Sequence, residues 1–339
     1  MNFLCDVESL ERAVGSPQLP ALLKSIDFLD AHCATLLARS PFAVLGYVDR
    51  DGRRRAAGIG GRAGFATILD SRRLRVPSPR DAAPGSPAST MFLIPGWREE
   101  LRINGRLDAS DPATLLVEEA FVHCGKAILR ADLWSERATR LDVGAAGAAP
   151  LDPACRGFLA ASPFVVLTSI DAAGHADASP KGDPPGFIRI LGDASLAIPD
   201  RRGNRRTDTL HNIVEDARVA FLALVPGDDR TLELRGAVRV TDDEGLRSSM
   251  AMDGKVPHAV LILEVEACTL ARCEAVGAAR LWDRDVQVDP AELPTAGQMW
   301  SDHVRANRTP GFAAAIIRAA ANGTLVQAGT EVEYKRKLY

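Results

Sequence analysis

The 339-residue chain has no long apolar run. Its longest, FVVLTSI (Phe164–Ile170) and AVLILEV (Ala259–Val265), are strand-sized and far short of the roughly 20 residues that a membrane helix needs. It has no excess of positive charge. Its 41 basic and 44 acidic residues give a net charge of -3, so no bulk basic character points to nucleic acid. It has no CxxC pair. The six cysteines are scattered, Cys268 and Cys273 are the closest, and no histidine pair accompanies them. This predicts reduced thiols in a cytoplasmic protein and no metal site. The opening MNFLCDVESLERAV carries acids early and lacks a basic n-region with a long apolar stretch, so no signal peptide is expected. No GxGxxG follows a predicted strand, and GIGG at 58–61 does not open a helix at the right spacing, so a Rossmann unit is excluded. Lysine is scarce as well: only six of the 41 basic residues are Lys. One of these few, Lys181, sits in SPKGDPPGF, which reads as a Lys–Gly–Asp–Pro–Pro turn just past the apolar run at Phe164.

What is present is a repeat. SPFAVLGYVDRDG at Ser40 matches SPFVVLTSIDAAG at Ser162, an offset of 162 − 40 = 122. The offset holds through Gly64 with Gly186 and Pro77 with Pro199. LIPG ending at Gly96 then matches LVPG ending at Gly227, an offset of 131, which ELRINGRL and TLELRGAV keep at Gly105 and Gly236. VEEAFVHCGKAILRADLW aligns Trp134 with Trp282, an offset of 148. A unit of this length is a duplicated domain rather than a solenoid module. The organisation expected is a first copy over 1–141, a linker over 142–151 that is rich in Ala and Gly, a second copy over 152–282 and a tail over 283–339.

Each copy reads mainly as short strands broken by Gly, Pro and polar residues, the pattern of a barrel or sandwich. FVVLTSI, the two halves of FIRILGDASLAIP, RVAFLALVPG, TLELRGAVRVT and AVLILEVEA are the strands of the second copy. DTLHNIVED (Asp208–Asp216) reads as a helix with Thr207 or Asp208 as its N-cap, and Gly311–Gly323 as a helix in the tail.

The differences between the copies carry more than the similarities. Lys181 and Asp183 of the second copy stand where the first has Ile59 and Gly61. The second copy also has IPDRRGNRRTDTLHN, with Arg201, Arg202, Arg205 and Arg206 around a Gly–Asn pair before a helix. A basic glycine-containing loop feeding a helix N-terminus suits a phosphate, although a solvated arginine cluster would look the same. At the other end of the unit the asymmetry reverses. His123, Lys126 and Arg130 of the first copy face Ala271, Glu274 and Ala278 of the second. Their spacing of three and four puts them on one face if the segment is helical, which is also the pattern of an ordinary surface helix. One half-set is kept in each copy. A homodimer with two sites at its two-fold interface, fused and then allowed to drift, would leave one composite site and one decayed site.

SPFVVLTSID, SPKGDPPGF, LAIPDRRGNRR, LVPG, TLELRG and VEEAFVHCGKAILRADLW together resemble a bacterial subfamily of the pyridoxamine 5′-phosphate oxidase-like FMN-binding split barrels. The resemblance covers nearly the whole chain as two fused copies, followed by segments similar to that family's LPTAGQMWSDH and YKRKLY. It implies two tandem six-stranded antiparallel split barrels forming an internal pseudo-dimer, with C-terminal helices. It implies FMN as cofactor, with Ser179, Lys181, Gly182 and Asp183 beside the flavin ring or ribityl chain. Arg201, Asn204, Arg205 and Arg206 would hold the phosphate, and His123, Lys126, Arg130 and Trp134 would come from the opposing copy. At most one good site per chain follows, and a monomer could suffice, with a homodimer as the alternative. The activity implied is that of an FMN-dependent oxidoreductase acting on a small molecule, with His123 as a proton donor. A non-catalytic module holding flavin, or haem through His123 or His175, is the alternative. A relic that binds nothing is the third reading.

Overall fold

The structure is a computed structural model that describes residues 2–135, 150–201, 203, 206–336 and 338–339. The expected linker therefore lies largely outside the described residues, as do Arg202, Asn204 and Arg205.

Two antiparallel sheets dominate, and they repeat one strand order. In the first, the neighbours run Arg54–Gly60, Phe42–Val48, Pro87–Leu93, Glu100–Leu107, Thr114–His123, Arg73–Arg75 and Thr67–Asp70. In the second they run Ala176–Gly182, Phe164–Ile170, Arg218–Leu224, Arg230–Thr241, Ala259–Arg272, Ser195–Asp200 and Arg189–Ile190. Neither sheet closes, and the fold is mainly β: two split barrels in tandem, with helices. The expectation is six strands per copy; the described sheets have seven and eight, because a small hairpin strand (Thr67–Asp70 or Arg189–Ile190) extends each and Phe3–Leu4 joins the second. Helix Ala31–Arg39 before the first sheet has its equivalent in Pro153–Ala161 before the second.

The apolar runs are explained by two-sided burial. Side chains alternate across a strand. Val165 and Leu167 enter the core of their own barrel, and Phe164 and Val166 enter a third core shared with the first barrel. Ala43 and Leu45 likewise face inward, and Phe42 and Val44 meet that shared core. A strand packed on both faces reads as continuously apolar rather than alternating.

The two barrels meet as a two-fold pair would. A Cβ on Gly46 would strike Thr168, its own counterpart at 46 + 122. Trp134 faces its counterpart Trp282 with ring centroids 6.1 Å apart. Contacts between equivalent positions are the mark of a pseudo-symmetric isologous interface.

Two departures from the expected organisation follow from long-range pairing. The N-terminal Phe3–Leu4 leaves the first copy and pairs with Arg230–Thr241 of the second sheet. The C-terminal helices Ala296–Ala306 and Gly323–Arg336 return to the first copy, where Trp300 Nε1 donates to the Val122 carbonyl at 2.9 Å. No helix among the described residues is long and apolar enough to cross a membrane.

Candidate functional site

One cleft lies between the barrels, and both half-sets line it. From the first copy come His123, Lys126 and Arg130; from the second come Ser179, Lys181, Gly182, Asp183, Arg201 and Arg206. Their local structure differs from the sequence expectation in two ways. His123 is the last residue of strand Thr114–His123 and the helix begins only at Lys126, so the three do not share a helix face. They converge because the strand ends where the helix starts. Lys181 and Gly182 are not in a turn but in edge strand Ala176–Gly182, opposite Val165 and Phe164. Gly182 is needed there for a specific approach: a Cβ would lie 2.2 Å from the carbonyl oxygen of Ala127 in the other copy.

Asp183 ties the halves together. It is fully buried, and Arg201 Nε donates to its Oδ2 at 2.5 Å. Arg130 Nε lies 3.3 Å from its Oδ1 and donates to the Gly182 carbonyl at 2.8 Å, across the interface. Lys181 Nζ donates to Asp200 Oδ1 at 2.7 Å. Arg206 sits on the Phe121 ring, 3.8 Å from its centroid, and bonds Glu119, Asp208 and Ser25. Five basic side chains (Lys126, Arg130, Lys181, Arg201, Arg206) line the cleft, and each is paired with a carboxylate (Glu333, Asp183, Asp200, Asp183, and Glu119 with Asp208), so an anion would bind there by competing for these cations. At the N-cap of helix Asp208–Glu215, the Thr207 hydroxyl is buried, lines the cleft and has no hydrogen-bond partner among the described residues. That open hydroxyl beside arginines suits a phosphate oxygen.

His123 is buried. Desolvation, then the nearby Arg102 and Lys24 charges, push its pKa well below the ordinary value, so the ring is neutral. Its Nδ1 lies 3.2 Å from the Cys124 carbonyl. A proton on Nδ1, directed at that carbonyl, leaves Nε2 as an acceptor. Behind it, 3.7 Å from Nδ1, lies the carboxyl of Glu100, which has no exposed surface and no hydrogen-bond partner. Burial, then the Glu99 charge, push its pKa well above the usual range.

Trp134 does not line the cleft. Its Nε1 donates to the Trp97 carbonyl at 2.6 Å and its ring packs on Trp282. His175 is also elsewhere, exposed beside Asp171 in a surface turn. The sequence reasoning missed the C-terminal segment. Glu333 Oε2 lies 3.2 Å from Lys126 Nζ, and the Leu338 carbonyl accepts from Arg130 at 2.9 Å. The Tyr339 ring lies 6.0 Å from the Arg130 guanidinium and 5.7 Å from that of Arg201. The Gly125 amide donates to the Tyr334 hydroxyl at 2.8 Å. The only sequence signal for this was the YKRKLY ending.

The equivalent cleft on the other side of the pseudo-axis is lined by Gly58, Ile59, Gly60, Pro77, Ala271, Glu274 and Ala278, among others. It is larger, about 570 Å³ against about 80 Å³, yet among the described residues its only basic lining residue is Arg272, which pairs with Asp229 at 3.0 Å. Charge, not volume, distinguishes the two: the smaller cleft is the one that the C-terminal residues close over.

No curated protein matches the chain. Among solved structures, HupZ of Group A Streptococcus is 16% identical over 34% of this chain and 89% of its own, with a TM-score of 0.29. A candidate pyridoxamine 5′-phosphate oxidase from Lactobacillus delbrueckii is 22% identical over 31% and 83%, with a TM-score of 0.25. A pyridoxamine 5′-phosphate oxidase-related, FMN binding protein from Nostoc punctiforme is 13% identical over 38% and 88%, with a TM-score of 0.30. A family model, pyridoxamine 5′-phosphate oxidase, matches residues 151–271. Through that stretch, about a third of its length, the chain is similar to the pyridoxamine 5′-phosphate oxidase family.

Proposed function

We propose that the chain is an FMN-dependent oxidoreductase with a single composite flavin site in the cleft between its two barrels. The observation that carries this reading is the convergence of basic groups from both copies on one cleft, while the equivalent cleft lacks them. The residues present fit the group chemically: arginines and the partnerless Thr207 hydroxyl match a phosphate, and Lys181 offers positive charge to an electron-rich ring edge. FMN, when bound, supplies the hydride or electron transfer.

The protein's own residues bind, orient and exclude. Arg130 and Arg201 are fixed by Asp183, so they meet an anion without first being ordered. Asp200 holds Lys181 in place. His123 stays neutral and presents Nε2 as a proton acceptor. The cleft of about 80 Å³ is well below the roughly 300–1,000 Å³ of ligand pockets, so a flavin enters only as the C-terminal residues swing aside.

Lys126→Glu and Lys181→Ala, one in each copy, test the composite site. Each is expected to weaken FMN binding, read by flavin fluorescence, at least about tenfold, the effect of some 1.4 kcal/mol. Arg80→Ala, on the exposed surface of the first copy, leaves it unchanged. Unchanged affinity in Lys126→Glu would show that the first copy contributes nothing. A Soret band in the purified protein would instead favour haem on the neutral His123.

A further inference from the structure

The expectation of no metal rested on spacing along the chain, and the fold brings together residues that spacing cannot show. Asp30 is the N-cap of helix Ala31–Arg39, where its Oδ1 accepts from the Cys33 amide at 2.8 Å. Cys33 is three residues on, so both side chains leave the same side of the first turn. His303, from helix Ala296–Ala306, reaches the same point, and one ligand atom from each of the three lies within 4.8 Å of the others. Cys33 and His303 are fully buried, and Asp30 is partly so.

The orientation of His303 is the informative feature. Its Nδ1 faces the Lys24 carbonyl at 3.2 Å, and its Nε2 is 3.2 Å from Asp30 Oδ2. Both neighbours are acceptors. Nε2 has no hydrogen bond of good geometry among the described residues, although Asp30 Oδ2 is within ion-pair distance. Two ligands of one metal ion are spaced this way. Zn–N and Zn–O bonds of about 2.0–2.1 Å at a tetrahedral angle put the two atoms about 3.3 Å apart. The Lys24 carbonyl would then hold the proton on Nδ1 and leave the Nε2 lone pair for the ion.

We propose that Asp30, Cys33 and His303 form a zinc site. A thiolate, an imidazole and a carboxylate make a borderline-soft donor set suited to zinc, with water completing a tetrahedron on the partly exposed Asp30 side. Binding forms a Zn–S bond and releases the Cys33 thiol proton, with no change of oxidation state. The ion would cross-link the first copy to the C-terminal helices. The inference is independent of the flavin reading.

The test is metal analysis of the full chain, produced without a polyhistidine tag and desalted after exposure to one equivalent of zinc. Near one zinc per chain is expected, and none in Cys33→Ser. Should Cys33→Ser fold poorly by circular dichroism, cobalt(II) added to the wild-type chain gives the same answer: a thiolate-to-cobalt charge-transfer band is expected. Absence of both retained zinc and that band overturns the site. Zinc retained equally by Cys33→Ser and His303→Gln marks an adventitious ion only and overturns it too.

Discussion

Arg102 and Asp177 meet across the barrel interface at 2.5 Å, with side chains only 2% and 3% exposed. Their repeat equivalents are Glu233 (102 + 131) and Arg55 (177 − 122), which also pair, Nε to Oε1, at 2.7 Å. The same two positions carry an ion pair on each side of the pseudo-axis, with the charges exchanged. Such an exchange makes each copy complementary to the other and repulsive to itself, a device for specificity more than for stability. Arg102→Ala leaves Asp177 buried without its cation and should cost about 3–5 kcal/mol in urea unfolding. Adding Asp177→Ala should recover part of that loss; a double mutant as unstable as the sum would mean that the pair is not coupled. Glu100 supports a second residue-level prediction. Its raised pKa means that the folded state holds a proton that the unfolded state has released, so its contribution falls as pH rises above the ordinary Glu range. Glu100→Gln is neutral throughout. Its stability relative to the wild type should therefore grow between pH 5 and pH 8, by at most about 1.4 kcal/mol per pH unit. A constant difference over that range would show that Glu100 ionises normally.

At the scale of elements, strand positions were legible because two-sided burial writes itself as apolar runs, and Phe164–Ile170 has its predicted limits. Helix Asp208–Glu215 was legible from its apolar spacing and start signals. The helix face through His123, Lys126 and Arg130 was misread because a strand-to-helix junction at 124–125 has the same spacing as a helix. The contacts made by Phe3–Leu4 and by the C-terminal segment were not legible. Their partners lie more than 200 residues away, and contact at that separation leaves no periodicity. The C-terminal residues supply the test at this scale. Leu338 and Tyr339 engage the arginines that an anionic ligand would use, so they and the ligand compete. A variant lacking residues 338–339 should bind FMN with a several-fold faster association rate in stopped-flow fluorescence, since more of the protein is in the open form. If only dissociation quickens, the segment covers bound ligand and does not compete with it.

Across the whole molecule, the composite cleft could be sought from sequence because the repeat supplied its own control. Each half-set stood out against the copy that lacks it: Lys181 against Ile59, Lys126 against Glu274. What the sequence did not hold was the cost of that cleft, a buried set of charges balanced by Asp183, Asp200 and Glu119 from three separate segments. Nor did it show that the decayed cleft is the roomier one. The account stands on a single claim, that one FMN binds per chain between the barrels. The most direct measurement is the flavin released per chain on denaturation, after saturation with FMN and desalting, read from the visible spectrum. About one per chain is predicted. Nearly two would mean that the cleft lined by Gly58 and Glu274 binds flavin without the basic residues, and none would remove FMN from the account altogether.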